Sequence, residues 1–172
     1  MQQKGYIHVY TGNGQGKTTA AFGLAVRALG AGKKVFIGQF VKSMKYNEVT
    51  LEQHYSGIRI KQYGLRCFLN CMPEERDIHA AEKGWEACCR ILCSGEYDLV
   101  VLDELTIALY YKLLSLPVIL AGLAARDPAT EVVITGRYAP PELIAMADLV
   151  TEMQEVKHYY TQGVLSRDGF DR

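Results

Sequence analysis

The glycine-rich segment at residues 11–19 constrains the fold of this chain more than any other part of the sequence. The segment reads Thr11-Gly12-Asn13-Gly14-Gln15-Gly16-Lys17-Thr18-Thr19. A short apolar run at residues 6–10 precedes it, and the residues from 18 to 29 show helical periodicity. A strand, a glycine-rich turn ending in Gly-Lys-Thr and a helix form the context of a phosphate-binding loop. The segment therefore predicts an α/β fold whose ligand lies beyond the carboxyl end of a buried strand.

The residue types of this loop suit a triphosphate. Glycines let backbone N–H groups turn towards an anion, and the N-terminus of the following helix adds partial positive charge. Lys17 supplies a flexible positive charge, and the Thr18 hydroxyl is placed to bind Mg²⁺. Only three residues separate Gly12 from Gly16, fewer than in the usual pattern. The predicted phosphate-binding residues are Gly12, Asn13, Gly14, Gln15, Gly16, Lys17, Thr18 and Thr19. The alternative, a glycine-rich turn without a ligand, is disfavoured by the flanking strand and helix.

A second motif lies near the middle of the chain. Residues 99–102 form an uninterrupted apolar run, typical of a strand buried on both faces, and Asp103 and Glu104 follow directly. In proteins with a phosphate loop, an acid at this place holds Mg²⁺ or its waters. If both residues are extended, their side chains point in different directions, so that one binds metal and the other orients a neighbouring group. The alternative is a strand that simply ends in polar residues, and the phosphate loop favours the metal site.

Apolar strands alternate with helical segments along the whole chain. Strands are predicted at residues 6–10, 35–40, 58–63, 99–102, 131–135 and 149–156, and helices at residues 18–29, 47–54, 73–93, 116–125 and 140–147. Pro73 is expected at the first position of the long helix, where its missing N–H costs nothing. The alternation predicts one domain over residues 1–172: a three-layer α/β sandwich with a mostly parallel central sheet, of the phosphate-loop NTPase (RecA-like) type.

Charge and apolar content limit the classes of partner. The chain has 19 basic and 19 acidic side chains, and this zero net charge argues against nucleic acid or an anionic membrane as partners. The first residues lack the apolar core of a signal peptide, and the apolar run at residues 116–125 is too short to span a bilayer. We therefore expect a cytoplasmic protein. Five cysteines are an odd number, which favours reduced thiols over disulfides.

The phosphate loop and the strand that ends in Asp103 and Glu104, together with motifs later in the sequence, make the chain similar to a known family. This family is the corrinoid (cob(I)alamin) adenosyltransferases of the phosphate-loop type. The two motifs above are shared with many nucleotide-binding proteins, whereas the Thr-Gly-Arg and Lys-His blocks are more specific. The residues that carry the resemblance, beyond the phosphate loop, are Gln39-Phe40-Val41-Lys42, Val101-Leu102-Asp103-Glu104-Leu105, Thr135-Gly136-Arg137-Tyr138-Ala139-Pro140-Pro141-Glu142-Leu143, Ala147-Asp148-Leu149-Val150-Thr151-Glu152-Met153 and Val156-Lys157-His158.

The resemblance implies a specific reaction. Enzymes of this family transfer the 5′-deoxyadenosyl group of ATP to the cobalt(I) of a reduced corrinoid, which gives adenosylcobalamin, or an adenosylated precursor, and triphosphate. ATP is then the co-substrate and Mg²⁺ (or Mn²⁺) the cofactor. The implied partners are the corrinoid, an electron donor such as a reduced flavoprotein, and a second copy in a homodimer. Because cobalt is the nucleophile, no side chain that abstracts a proton is expected.

The resemblance also implies roles for individual residues. Lys17, Thr18 and Glu104 become the catalytic residues, because they hold the triphosphate and its metal. Thr18 and Glu104 flank Mg²⁺, with Asp103 close by as a further metal ligand. Arg137, at the end of a predicted strand, becomes an additional ATP-binding residue. Its alternative is a surface salt bridge.

The corrinoid-binding residues implied by the resemblance are Phe68, Lys157 and His158. In the family, aromatic residues of the loop that corresponds to residues 64–68 help to displace the lower axial base of the corrinoid, and Phe68 is the candidate for this role here. Ordinary core packing is the alternative for Phe68. For His158 the alternative is a hydrogen-bonded structural histidine. The sequence departs from the family at Ser43, often a glycine, and in the few residues before the first strand, where longer members cover the site.

Other residues leave several interpretations open. A zinc site at the cysteines is disfavoured because no paired C-x-x-C motif is present, and buried thiols are the favoured interpretation. Trp85 is expected in the core. The pairs Tyr110-Tyr111 and Tyr159-Tyr160 suit either an apolar pocket for the macrocycle or subunit contacts. Two other functions remain as alternatives: a phosphate-loop ATPase or nucleoside kinase, and a nucleotide-dependent corrinoid carrier without turnover.

Overall fold

A parallel sheet forms the centre of the computed structural model, which describes residues 4–42, 47–65 and 73–171. Every strand pairing within these residues is parallel, and the strands follow one another across the sheet in the order β3-β2-β4-β5-β1-β6. The strands are β1 Ile7–Thr11, β2 Val35–Gln39, β3 Ile58–Gln62, β4 Leu99–Asp103, β5 Glu131–Thr135 and β6 Leu149–Glu152. The predicted α/β fold with a parallel sheet is confirmed.

Helices cover both faces of the sheet. They are α1 Lys17–Gly30, α2 Leu51–His54, α3 Glu75–Ser94, α4 Leu105–Tyr110, α5 Leu116–Ala124 and α6 Pro141–Met146, with 3₁₀ turns at Asn47–Thr50 and Tyr159–Gln162. On one face, Phe22 and Ala25 of α1 pack in a cluster with Ile37. On the other face, Trp85 lies in a second cluster with Val100. Neighbouring strand residues face opposite helix layers, as a period of two requires.

Three local expectations differ from the structure. Helix α3 begins at Glu75, and Glu74 with Asp77 forms a capping box, so Pro73 lies outside the helix and not at its first position. The short helix α4, directly after β4, was not predicted from the sequence. Strand β6 ends at Glu152 rather than at residue 156, because the backbone of Met153 turns to bond with the phosphate loop. No helix within the described ranges is long and apolar enough to cross a membrane.

The carboxyl edge of the sheet carries a row of polar side chains. Parallel strands bring their carboxyl ends to the same edge, and ligands of such sheets bind there. All six strands end in a polar residue, namely Thr11, Gln39, Gln62, Asp103, Thr135 and Glu152. Strand β4 is buried along its whole length, as its apolar run predicts, so Asp103 is delivered to this edge from the core.

Candidate active site

A cavity of about 630 Å³ opens beside this edge. It is lined by the phosphate loop, by the start of α1, by residues that follow β2, β4 and β5, and by residues near the C-terminus. The lining residues include Asn13, Gly14, Gln15, Gly16, Lys17, Thr18, Thr19, Phe22, Lys42, Glu48, Glu104, Arg137, His158, Gly169, Phe170 and Asp171. The structure thus brings seven of the eight predicted loop residues, all but Gly12, together with Glu104 and Arg137 around one space.

Two glycines give the phosphate loop its path. Gly12 and Gly16 have φ values of +94° and +111°, which L side chains rarely adopt. A Cβ atom on Gly12 would also clash with the carbonyl oxygen of Met153. That carbonyl accepts a 2.7 Å hydrogen bond from the N–H of Gly14. The chain after β6 therefore fixes the loop from outside through the Gly14 N–H.

Lys17 lies inside the loop. Its ammonium group donates hydrogen bonds of 2.7 Å to the carbonyl of Gly12 and 2.6 Å to that of Gly14. Burial lowers the pKa of Lys17, the positive charge of Arg137 lowers it further, and Glu104 opposes the effect. The two loop carbonyls therefore hold the ammonium of Lys17 inside the loop.

Asp103 is the centre of a buried hydrogen-bond network. Its Oδ1 accepts bonds from the hydroxyls of Thr18 at 2.8 Å and Thr135 at 2.7 Å. Its Oδ2 accepts bonds from Lys42 at 2.8 Å and from the amide of Gln39 at 3.1 Å. Burial alone would raise the pKa of Asp103, but the Lys42 charge and the hydrogen bonds outweigh it and hold the pKa below its usual range. The carboxylate is completely buried and orients the Thr18 hydroxyl from behind.

Glu104 has a different environment from its neighbour. Its backbone is left-handed, with φ of +60°, so the expected pair of extended residues is not found. The turn directs Glu104 to the cavity, and the Glu104 N–H donates to the Thr135 hydroxyl at 2.9 Å. Within the described ranges, no hydrogen bond reaches the Glu104 carboxylate. Burial and the charge of Asp103 raise its pKa, while Lys42 and Lys17 oppose the rise.

The oxygen atoms at this place fit a hard divalent cation. Thr18 offers a hydroxyl, and Asp103 and Glu104 offer carboxylates, which are the donors that Mg²⁺ prefers. The ammonium of Lys42 already stands 2.8 Å from Asp103 and 3.4 Å from the Thr18 hydroxyl, so the site stabilises positive charge. In the parts of the chain that the structure describes, no cluster of three His, Cys, Asp or Glu residues could hold a metal alone.

The loop after β5 presents Arg137 to the cavity. Gly136 has φ of +134°, and a Cβ on it would clash with the hydroxyl of Thr106. That hydroxyl donates a 2.7 Å hydrogen bond to the carbonyl of Arg137. Arg137 forms no ion pair with a carboxylate of the described residues, so the salt-bridge alternative finds no support there. The backbone of this loop is fixed while the guanidinium faces the cavity.

The three corrinoid candidates fare differently. Phe68 lies outside the described residues. Lys157 is exposed and is not among the residues that line the cavity. His158 lines the cavity, and its Nδ1 also accepts a 3.0 Å hydrogen bond from the N–H of Tyr160, which caps a 3₁₀ turn. Both interpretations of His158, as a structural histidine and as a cavity residue, are thus compatible with its position.

Trp85, the cysteines and the tyrosine pairs differ in how deeply they are buried and in what they contact. Trp85 is buried, as expected. Cys88 is buried, Cys89 half-buried and Cys93 exposed, while residues 67 and 71 lie outside the described ranges. Tyr110, which Tyr111 contacts edge-on, stacks on Tyr138 with ring centroids 4.2 Å apart.

Sequence reasoning missed the C-terminal wall of the cavity. Gly169, Phe170 and Asp171 line it, and the Gln15 amide donates a 2.9 Å hydrogen bond to Asp171. The Tyr159 hydroxyl bonds to Asp171 and, at 3.1 Å, to the side-chain oxygen of Gln15. Nothing in the local sequence of this segment signals a binding role, because its contacts to the phosphate loop arise only in three dimensions.

Several known proteins have sequences similar to this chain over most of its length. A family model described as ATP:corrinoid adenosyltransferase BtuR/CobO/CobP matches residues 3–171. A corrinoid adenosyltransferase of Pseudomonas aeruginosa is 37% identical over 171 residues, which cover 98% of this chain and 84% of that protein. One of Escherichia coli K12 is 38% identical over 173 residues, covering 99% and 87% of the two chains. The corrinoid adenosyltransferase CobA of Salmonella typhimurium is 38% identical with the same coverage.

The match extends over nearly the full length of the chain, so it includes both the phosphate loop and the strand that carries Asp103. Residues of the phosphate loop line one cavity together with the cationic residues Lys42 and Arg137 and the acidic residue Glu104. The chain belongs to the ATP:corrinoid adenosyltransferase family.

Proposed function

We propose that the chain transfers the 5′-deoxyadenosyl group of Mg²⁺-bound ATP to the cobalt(I) of a reduced corrinoid in the cavity at the carboxyl edge of the sheet. The observation that supports it most is the convergence of three cationic side chains, Lys17, Lys42 and Arg137, on the phosphate-loop side of that cavity. The reaction releases triphosphate, a highly charged leaving group. An array of fixed positive charges and backbone N–H groups stabilises such a group in the transition state.

The bond changes need no general base from the protein. Cobalt(I) donates an electron pair to the 5′ carbon of ATP, the cobalt–carbon bond forms, and the C5′–O bond breaks. The electron pair of that bond leaves on the triphosphate oxygen. Lys17, the loop amides and Arg137 hold this triphosphate, and the chain supplies position and charge rather than proton transfer.

Thr18 and Glu104 would hold Mg²⁺, or Mn²⁺, from the protein side. When bound, the ion neutralises charge on the phosphate oxygens as the leaving group departs. Asp103 orients the Thr18 hydroxyl through their 2.8 Å hydrogen bond, and Glu104 presents its carboxylate to the cavity. Asp103 is completely buried and does not itself line the cavity, so it orients Thr18 from behind. Its Oδ2, to which Lys42 donates, makes it a further candidate metal ligand.

The rest of the proposal concerns the corrinoid, the electron donor, the oligomeric state and the cellular location. His158 is the candidate for a corrinoid contact that lines the cavity, with Lys157 and Phe68 as further candidates. An electron donor such as a reduced flavoprotein would supply cobalt(I). A homodimer and a cytoplasmic location complete the proposal, which assigns one domain to residues 1–172.

One anaerobic experiment tests this function. The protein is mixed with ATP, Mg²⁺ and chemically reduced cobalamin, the corrin absorbance is followed, and the phosphate products are separated. Formation of light-sensitive adenosylcobalamin with one equivalent of intact triphosphate is the expected result. ADP and phosphate without a corrinoid change would indicate an ATPase instead. Stoichiometric corrinoid binding without turnover would indicate a carrier.

Two variants separate binding from folding in this assay. Lys17→Met removes the charge inside the phosphate loop, and we expect loss of both ATP binding and turnover. Lys33→Met is the matched control, because Lys33 forms an exposed ion pair with Asp98 away from the cavity. The control should keep the activity of the unchanged protein. Equal losses in the two variants would contradict the proposed site.

A further inference from the structure

The ammonium of Lys42 occupies the space between two of the candidate metal ligands. It lies 2.8 Å from Oδ2 of Asp103 and 3.4 Å from the hydroxyl of Thr18. Glu48 is a further oxygen partner, with Oε1 at 3.7 Å. The Lys42 ammonium is therefore surrounded by a hydroxyl and two carboxylates. These are the oxygen ligands that typically surround a bound metal cation.

The chain delivers Lys42 to this place by an unusual backbone turn. Strand β2 ends at Gln39, and Val41 then adopts φ of +64°. Such a conformation is unfavourable for a β-branched residue and persists only where the surrounding structure enforces it. Phe40, completely buried, anchors the turn from below. The strained turn returns Lys42 towards Asp103 on the neighbouring strand β4.

We propose that Lys42 is a tethered cation that occupies the divalent-metal position of the ATP-free protein and is displaced when Mg²⁺ arrives with the triphosphate. Its ammonium keeps the Thr18 hydroxyl and the Asp103 carboxylate in place before the nucleotide binds. Once displaced, the flexible side chain remains in the cavity and reaches the triphosphate as a further positive charge. Lys42 is therefore a positioning residue for the metal and a contact for the leaving group. The inference rests on the proposed Mg²⁺–ATP site.

Charge and burial explain why a tethered cation is needed. Asp103 is completely buried, and a buried carboxylate without a cationic partner is costly. Glu48, whose Oε1 lies 3.7 Å from the ammonium, and Glu104 add further negative charge near Lys42. The ammonium of Lys42 offsets the charge of the buried Asp103 carboxylate. A divalent ion alone must then compete with a charge that is already bound.

The proposal predicts that removal of Lys42 strengthens the binding of a divalent ion in the absence of ATP. Mn²⁺ is the probe, and its free concentration is measured by electron paramagnetic resonance during titration of the protein. Lys42→Met should bind Mn²⁺ about tenfold more tightly than the unchanged protein, since the competing charge is gone. Lys42→Arg, which keeps the charge, should not show this gain.

Arg137→Met is the control for the general electric field of the cavity. It also removes one positive charge that faces the cavity, but Arg137 has no contact with Thr18 or Asp103 among the hydrogen bonds and ion pairs of the described residues. We expect it to change Mn²⁺ affinity by less than about threefold. Equal gains for Lys42→Met and Arg137→Met would overturn the proposal in favour of a field effect. An unchanged or weaker affinity in Lys42→Met would overturn it as well.

Stability gives a second readout. Lys42→Met should melt at a lower temperature than the unchanged protein, and Mn²⁺ should restore more of the melting temperature in the variant, because the ion replaces the lost ammonium. If Lys42→Met does not fold, Lys42→Gln carries the same comparison, since its amide still donates to Asp103 without a charge. Absence of ATP binding in the unchanged protein would contradict the proposed function itself. Normal turnover without the Mn²⁺ effect would overturn only the role of Lys42.

Discussion

The hydroxyl of Thr18 donates a 2.8 Å hydrogen bond to Asp103, a residue 85 positions further along the chain. Thr18 belongs to the first turn of α1 and Asp103 to the end of β4. The bond joins the phosphate loop to the strand that carries the carboxylates. The bond holds the Thr18 hydroxyl, a candidate metal ligand, in a fixed orientation, so this part of the site is pre-organised.

The first prediction concerns this bond. Thr18→Val replaces the hydroxyl with a methyl group of similar size and removes both a hydrogen-bond donor and a candidate metal ligand. We expect the affinity for Mg²⁺–ATP to fall by about tenfold or more, with a smaller change for ATP without Mg²⁺. Isothermal titration calorimetry with and without Mg²⁺ measures both. Thr18→Ser keeps the hydroxyl and should retain most of the affinity; similar losses in the two variants would point to packing instead.

A second prediction concerns Asp103 and stability. Asp103→Asn replaces one acceptor oxygen with an NH₂ group where Thr18, Thr135, Gln39 and Lys42 all donate. The Lys42 ammonium would also lose its buried partner. We expect a loss of about 3–5 kcal/mol in the free energy of unfolding, measured by urea denaturation.

Asp98→Asn is the matched control for this substitution. Asp98 makes an ion pair of 2.9 Å with Lys33, and both side chains are more than 40% exposed. Its loss should cost no more than about 1 kcal/mol. A comparable loss at both positions would show that the buried network contributes little.

The pKa of Asp103 adds a pH dependence to the same experiment. Its folded-state pKa lies below the usual range, although burial acts in the opposite direction. The stabilisation is therefore fully present above about pH 4, the pKa of the unfolded chain, and is lost as the pH falls through the folded-state pKa. The free energy of unfolding should fall less steeply with acid in Asp103→Asn. Identical slopes would contradict a lowered pKa.

The third prediction tests the loop that presents Arg137. Gly136→Ala places a Cβ against the Thr106 hydroxyl and imposes an unfavourable φ of +134°. We expect the free energy of unfolding to fall by about 2 kcal/mol or more, together with weaker ATP binding. Gly30→Ala is the control, because a Cβ added there, at the end of α1, would meet nothing within 4 Å. Thermal melts followed by circular dichroism measure the difference, and a loss in the control equal to that in Gly136→Ala would contradict the clash.

The fourth prediction concerns thiol reactivity. Burial raises the pKa of Cys88 to about 12, so its reactive thiolate is scarce at neutral pH. Cys93 is exposed in the same helix, although its sulfur lies 3.4 Å from the carbonyl of Ala125. Iodoacetamide should modify Cys93 in the folded protein and leave Cys88 unmodified until the chain is denatured. Peptide mass spectrometry distinguishes the two sites, and early modification of Cys88 would show that the helix opens locally.

The sequence by itself determined the strand–loop–helix context of the phosphate loop and the parallel α/β fold. Glycines followed by Gly-Lys-Thr, and an apolar strand ending in Asp103 and Glu104, are local patterns whose backbone consequences are strong. Most element bounds were predicted within a few residues. The long helix was misplaced at its start because Glu74 and Asp77 form a cap that overrides the proline signal.

Only the tertiary structure decided which side chains surround Asp103 and which residues close the cavity. Gln39, Lys42 and Thr135 come from strands that neighbour β4 or from their ends, and strand order cannot be read from local patterns. The left-handed backbone of Glu104 separates it from its neighbour, and the contact of Asp171 with Gln15 joins residues 156 positions apart. Such contacts depend on long-range packing. The local sequence therefore predicts the motifs. The contacts between them, which determine the electrostatic surroundings of each side chain, follow only from the tertiary structure.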